Sequence, residues 1–270
     1  PLTIGHTLFW GFKSEIYNLN VRQRFGLYLE VFLSKIGKDL HKIFEDEIFL
    51  IKNLLRVADI PHDKSIKSNE IKLQIYRNEL SKINEEILAK NMEISLPLNF
   101  KMRVKSLVVE KCKTMKSKKK PLWLVFRNSE ENAENIDVMF KKGDDLRQDI
   151  LTLQLFRIMH NLWFEEKINL KMSLYNVICT GYYQGMLEMV KDSVTLAAVH
   201  KLNGGAFASL TSKPLRNWME QHCTNTLEEY RNNFMDSCVA YCMSTWVLGV
   251  GDRHNDNIMV KRVKKFYIFF

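Results

Sequence analysis

"NIDVMFKKGDDLRQDILTLQLFRIMHNLWF", residues 135–164, changes its hydrophobic period partway along. Before Gly143 the side chains alternate, as a strand requires: Ile136, Val138 and Phe140 share one face, Met139 and Lys141 the other, and Lys142 points away from Lys141. After the glycine, "DDLRQDILTLQLFRIMHNLWF" (144–164) reads as one long helix. A lysine beside an apolar residue on a sheet face can extend over a nucleotide and reach its phosphates. Asp145 and Asp149 stand at i and i+4 in the first helical turns, where the helix dipole favours negative charge. One of them could hold that lysine; otherwise the acids cap the helix and the lysines are solvated.

Outward from this strand and helix, the chain divides in texture near residue 93. The first ninety residues are helical in pattern. Apolar residues recur at three- and four-residue steps through 25–58 (Leu27, Leu29, Phe32, Ile36, Leu40, Phe44, Ile48, Ile51, Leu55). The polar, proline-bearing stretch 59–69 reads as a linker, and a second stripe follows at Ile71, Ile75, Leu80, Ile83 and Ile87. Beyond residue 93 come strand-like runs: "ISLPL", "VKSLVVEKC", "PLWLVF", "NIDVMF", "NVICTG" and "GMLEMV". Another long helix begins at the capping-box pattern Thr226–Glu229, with an apolar face of Leu227, Tyr230, Phe234, Cys238, Cys242 and Trp246. The order predicts an α+β lobe joined to a helical lobe.

Composition narrows the class. The 270 residues, 46% hydrophobic, suffice for a sizeable core. No apolar run approaches the ~20 residues that span a bilayer. The chain opens at Pro1 with no signal peptide and reads as an internal piece of something longer. Five cysteines, without a CxxC pair, fit reduced thiols in a cytosolic protein. Cys238 and Cys242, four apart on a helix, read as buried rather than metal-binding. A net charge of +9 includes the knot "KCKTMKSKKK" (111–120), which attracts phosphates or anionic lipid. Aromatic residues are not interleaved with it, so nucleic acid is not the expected partner.

The sharpest chemical signal is "VLGVGDRHNDNIMV" (247–260). Phosphoryl transfer needs a group beside the attacking hydroxyl and oxygen ligands that hold Mg²⁺ against the phosphates. Asp252, His254 and Asn257 supply those types on one short loop after a glycine turn. The stretch "KTMKSKKK" has neither GxGxxG nor a Walker pattern; backbone N–H groups, Ser117 and its lysines are what it offers a phosphate.

"GDRHNDNIMV", "FKKGDDLRQDILTLQLFRIM" and "KKKPLWLVF" resemble the kinase domain of phosphoinositide 3-kinases, class I catalytic subunits most of all. The resemblance runs on through "GMLEMVKDS" and "SCVAYCMSTWVLGVGDRH", and more loosely to "LTIGHTLFWGFKSEI" and "RFGLYLEVFL". It implies a protein-kinase-like bilobal lipid kinase domain, with a β-rich N-lobe and a helical C-lobe, preceded by helices. Residues 1–62 would end a helical domain, 63–92 would be a linker helix, and 93–270 would be the catalytic domain. ATP and Mg²⁺ are the implied cofactors, and a phosphoinositide lipid at a membrane surface the implied substrate. Regulatory subunits and small GTPases are implied only through regions outside these residues, and the implied location is cytoplasmic, peripheral to membranes.

By the same resemblance Lys141 contacts the ATP phosphates, and Met115 and Ser117 lie in the phosphate-binding loop. Trp123 sits beside the adenine, and Asp149 and Tyr175 line the inner pocket. Leu187, Glu188 and Val190 form the hinge, the backbone of Glu188 and Val190 bonding adenine, and Met259 closes the pocket from below. His254 acts near the attacking inositol hydroxyl, Asn257 binds Mg²⁺, and Asp252 supports the loop or the hydroxyl. The family places its main Mg²⁺-binding Asp after the strand that "KKFYIFF" matches, and Phe269 stands there instead. These residues by themselves are therefore expected to be inactive. A kinase making only the monophosphate, a protein kinase of the same superfamily, and a nucleotide-binding pseudokinase or scaffold are the competing readings.

Overall fold

A computed structural model describes residues 2–204, 213–222, 227–263 and 265–269. The chain forms two compact units, Pro1–Ile150 with Asn176–Met189, and Leu151–Tyr175 with Val190–Phe270.

The first unit opens with helices α1 (Leu2–Glu15), α2 (Arg22–Lys35), α3 (Lys38–Val57) and α4 (Asn69–Ala89). The continuous stripe expected over 25–58 is interrupted at Ile36 and Gly37, both in extended backbone, so it belongs to two helices. Leu27 is 58% exposed, and α2 buries no residue fully. Instead α3 carries the core, through Phe44, Leu50, Ile51, Leu54 and Val57. Phe44 stacks on Phe9 of α1, ring centroids 3.9 Å apart. Beside them lies Glu47, with no exposed surface, accepting from Trp10 Nε1 at 2.7 Å and paired with His6 Nε2 at 2.7 Å. On α4 the buried residues are Tyr76, Leu80, Ile83 and Ile87, while Ile71 is exposed. The stretch read as a linker is tied down: Pro61 is buried, and Lys142 Nζ bonds Asp59 Oδ1 at 2.5 Å.

These helices pack on an antiparallel sheet of β1 (Ile94–Leu96), β2 (Asn99–Leu107), β3 (Lys113–Thr114), β4 (Leu122–Asn128), β5 (Ile136–Lys142), β6 (Val177–Gly181) and β7 (Gln184–Glu188). The order is β1-β2-β4-β5-β7-β6, with β3 paired to β4. Val138, Phe140, Leu122, Leu124 and Met186 are all buried in the core shared with α3 and α4. That is the face alternation predicted for Val138 and Phe140.

Helix α5 (Arg147–Glu165) begins in the first unit and runs into the second. There follow β8 (Ser193–Thr195), α6 (Leu196–Gly204), α7 (Lys213–His222), α8 (Leu227–Leu248), β9 (Met259–Val263) and β10 (Lys265–Phe269). The three strands form a second sheet in the order β10-β9-β8. The core of this unit gathers Phe156, Val199, Trp218, Met219, Tyr230, Tyr241 and Val260.

The predicted apolar face of α8 holds at Tyr230, Phe234 and Cys238, which lie in or against this core, and is corrected at its C-terminal end. Trp246 is 80% exposed and Cys242 is exposed, whereas Asn233, Ser237, Ala240, Tyr241 and Ser244 are buried. The buried polar residues are partly bonded there: Asn233 Oδ1 accepts from Lys171 Nζ although its Nδ2 is buried without a partner, and Ser237 Oγ donates to the Phe234 carbonyl. A serine that bonds its own helix can be buried without a penalty that hydropathy would register. Cys238 is half-buried, and burial pushes its thiol up to about 11. Thr226, the head of the expected capping box, lies outside the described residues.

Candidate active site

In the first unit the sheet has a covered face and a more open one. Pairing of Trp123 with Met139, and of Met139 with Leu187, aligns three side chains across β4, β5 and β7 on the open face. Lys141, two residues along from Met139, pairs with Gly185. A Cβ on Gly185 would lie 2.1 Å from the Ile178 carbonyl oxygen and 2.7 Å from Leu146 Cδ1. The glycine is therefore what lets Leu146, just before α5, close onto the strand, and this brings the start of α5 to Lys141.

The acids at that helix start divide between the two roles left open, helix entry and the lysine. Asp145 precedes α5 and accepts from the Arg147 backbone N–H at 3.1 Å, from Nε at 2.9 Å and from Nη2 at 2.7 Å. Those bonds hold its carboxyl below the usual carboxylate range. Lys141 Nζ instead lies 3.6 Å from Asp144 Oδ2. Asp149, half-buried, has its pKa pushed up by desolvation, a push that the nearby Lys141 charge opposes. Asp145 thus secures the helix entry, while Asp144 and Asp149 surround the lysine.

Around this face lie the other expected contacts. In the loop before β4, the Met115 N–H bonds the Pro121 carbonyl at 2.9 Å and the Lys120 N–H bonds the Ser117 carbonyl at 3.0 Å. Lys119 Nζ ties that loop to the Gly143 carbonyl at 2.9 Å. Trp123 Nε1 donates to Asp137 Oδ2 at 3.0 Å, and Lys113 Nζ sits 4.3 Å from the Trp123 ring centre. At the end of β7, Glu188 Oε2 accepts from Asn176 Nδ2 at 2.7 Å, and the Glu188 N–H donates to the Asn176 carbonyl at 2.9 Å. Asp137, Asn176 and Lys119 were not singled out from sequence. Period-two alternation already put Asp137 on the Met139 face; the other two partners required the strand pairing.

In the second unit, Tyr175, Val190 and Met259 pack at the edge of its hydrophobic core. Helix α8 ends in a Schellman motif: Gly249 at φ 63 sends its N–H to the Trp246 carbonyl, and the Val250 N–H reaches the Thr245 carbonyl. Asp252 follows, itself left-handed at φ 55. Asn257 then staples the loop, because its Oδ1 accepts the His254 N–H at 2.9 Å and its Nδ2 donates to the Asp252 carbonyl. The loop is anchored from below, as the Ala197 N–H bonds the Asn255 carbonyl and the Leu196 N–H bonds the Ile258 carbonyl. The His254 side chain remains 54% exposed, with Nε2 3.9 Å from Asp252 Oδ1. Its Nδ1 accepts the Asp256 N–H at 3.2 Å, so the neutral ring carries its proton on Nε2.

This loop can present an N–H donor and an exposed carboxylate side by side. Magnesium fits it less well. A protein binds Mg²⁺ through carboxylates together with substrate phosphates. Among the described residues no group of three or more His, Cys, Asp or Glu side chains could hold a metal, and one Asn257 oxygen lone pair is already taken.

Comparison with known proteins gives this arrangement a family. Residues 135–267 match the phosphatidylinositol 3- and 4-kinase family. The chain is 42% identical to phosphatidylinositol 3-kinase 1 of Dictyostelium discoideum, over 99% of this chain and 17% of that protein. Phosphatidylinositol 3-kinase 2 of the same organism is 40% identical over 96% of this chain and 14% of its own length. The human phosphatidylinositol 4-phosphate 3-kinase C2 domain-containing subunit beta is 34% identical over 96% of this chain and 16% of its own. The chain spans less than a fifth of the length of each of these relatives. With the sheet-bearing unit, the helical unit and the Asp-Arg-His loop between α8 and β9, the chain belongs to the phosphatidylinositol 3- and 4-kinase family.

Proposed function

We propose that the protein to which these residues belong transfers the γ-phosphoryl group of ATP to the 3-hydroxyl of a phosphatidylinositol lipid. The observation that carries this reading is the loop 252–257, held at both ends by the Asn257 amide beneath an exposed Asp252 and His254. Rigid placement of donors and acceptors is most of what an enzyme contributes to phosphoryl transfer. In this scheme a new P–O bond forms from the inositol oxygen, the bond from the γ-phosphorus to the bridging oxygen breaks, and ADP leaves. The hydroxyl proton passes to Asp252. His254 Nε2–H, whose partner nitrogen is occupied by the Asp256 N–H, donates to the reacting oxygens.

Lys141, flanked by Asp144 and Asp149, is assigned to the ATP phosphates, with the backbone of the Met115–Ser117 loop. Trp123, Leu187, Tyr175 and Met259 are assigned to the walls of the nucleotide pocket, Asp149 to its inner end, and Glu188 and Val190 to the hinge. Because the Glu188 N–H is engaged by Asn176, its bond to adenine would use the carbonyl. Magnesium bound with ATP would neutralise phosphate charge; Asn257 is assigned to it through the Oδ1 lone pair that the His254 N–H leaves free, so its remaining ligands would come from the phosphates and water. Residues 1–62, 63–92 and 93–270 are assigned to a helical domain end, a linker helix and the catalytic domain. Work at a cytoplasmic membrane face agrees with the basic loop, and no described helix is long and apolar enough to cross a membrane.

Backbone pairing sets Phe269 opposite Met259. With phenylalanine where the family's resemblance puts a metal-binding Asp, these residues alone are expected to be inactive, since a benzyl group cannot coordinate a cation. The test is transfer of labelled phosphate from ATP to phosphatidylinositol vesicles by the full-length protein. A 3-phosphorylated lipid supports the proposal. Phosphate on the 4-hydroxyl or only on protein substrates refutes it. Nucleotide binding without turnover favours the pseudokinase reading. Transfer by residues 1–270 alone would overturn the expected inactivity.

A further inference from the structure

A cavity of about 550 Å³ is bounded by α4 and residues 113–120. Its floor is apolar: Pro61 and Tyr76 are buried there, and Leu73 is 37% exposed beside them. Lys72, Lys113, Lys116 and Lys120 line it, and no acidic side chain does. Two of these cations converge on one neutral atom. Lys120 Nζ donates to the Pro61 carbonyl at 2.7 Å, and Lys72 Nζ donates to the same oxygen at 3.3 Å. Like charges drawn this close repel, and a carbonyl oxygen neutralises neither; the nearby Asp63 carboxylate, outside the lining, offsets part of the Lys72 charge. An anion seated between the two lysines would neutralise them. Asn69, the first residue of the long helix α4, also faces the cavity, adding the positive end of that helix.

We propose that this cavity binds a phosphate-bearing amphiphile, its phosphate bridging Lys72 and Lys120 and its apolar body lying on Leu73 and Tyr76. Trp123, Met139 and Lys141 do not line the site, while Met115, Lys116 and Ser117 of the loop assigned to the ATP phosphates form one of its walls. It does not depend on the catalytic assignment. An apolar floor with a cationic rim distinguishes such a ligand from a free anion, which would gain nothing from the floor.

The test is isothermal titration of the full chain, without ATP, using dihexanoyl phosphatidate below its micellar concentration. Inorganic phosphate and dihexanoyl phosphatidylcholine serve as comparison ligands. The phosphatidate should bind at least about tenfold more tightly than either, a difference of roughly 1.4 kcal/mol. Lys72→Gln with Lys120→Gln should weaken it about tenfold or more, because charge-assisted phosphate bonds are lost. Lys118→Gln, an exposed lysine outside the cavity, should change it less than about twofold. Equal losses in the two variants would mean non-specific attraction to the basic loop and overturn the proposal. So would inorganic phosphate binding as tightly as phosphatidate, or no phosphatidate binding by a chain with native circular dichroism.

Discussion

Glu47 offers the most demanding test of the helical packing. Its carboxylate has no exposed surface, and it joins α3 to α1 through Trp10 Nε1 and His6 Nε2, each at 2.7 Å. A hydrogen bond to a charged group contributes about 1.5–3 kcal/mol, and a buried donor left unpaired costs about 1–3. These terms overlap, so Glu47→Ala is expected to destabilise the first unit by about 3–5 kcal/mol, the range for breaking a buried pair. Glu47→Gln keeps the volume and an acceptor for Trp10, and should lose about half as much. Urea unfolding followed by far-ultraviolet circular dichroism gives the midpoints. Indole fluorescence reports on Trp10 as one of five tryptophans, so Trp10→Phe is needed as a companion. The cycle of Glu47→Ala and Trp10→Phe should give a coupling of about 1–2 kcal/mol, as for residues in direct contact. A loss under ~1 kcal/mol for Glu47→Ala, or a coupling near zero, would refute the assignment of Glu47 as the pin between these helices.

Three further outcomes are expected. Gly185→Ala should cost about 3 kcal/mol, the upper end for overpacking, because the new Cβ meets the Ile178 backbone at 2.1 Å. Gly181→Ala meets only the flexible Gln184 amide and should shift the thermal midpoint far less; equal shifts would show that the close approach of Leu146 is unimportant. Asp149 has a raised pKa in the fold, so its protonated form is favoured there, and its stabilising contribution is lost as pH rises from the ordinary carboxylate value through the folded one. Asp149→Asn should accordingly gain stability relative to the parent across that rise, and a gap that stays constant with pH would contradict it. Asn257→Ala removes both staples of its loop, so hydrogen exchange at the His254 amide should accelerate by at least about tenfold, with α8 unaffected. Unchanged exchange would mean the loop is held by its anchors to α6 alone.

Much of this chain is legible locally. Alternation alone separates Val138 and Phe140 from Met139 and Lys141, since a strand offers only two faces. Gly249 marks the end of α8 because a left-handed residue closes a helix most cheaply when it lacks a Cβ. The short spacing of Asp252, His254 and Asn257 already implied one loop, because five residues cannot carry them far apart. Other features depended on what folds against what. Asp145 and Asp149 look equivalent along the sequence, yet Arg147 takes the first and Lys141 lies near the second. The apolar stripe on α8 holds at Tyr230, Phe234 and Cys238 but fails at Cys242 and Trp246, and hydropathy gave no sign that Asn233, Ser237 and Ser244 are buried. Lys72 and Lys120 are 48 positions apart and meet only because the Pro61 turn lies between α4 and the basic loop. Sequence periodicity determined which face each residue takes on its own strand or helix, a matter of backbone geometry within a few residues. Partnership across elements was decided by the tertiary structure, because it is there that desolvated charges and polar groups must find one another.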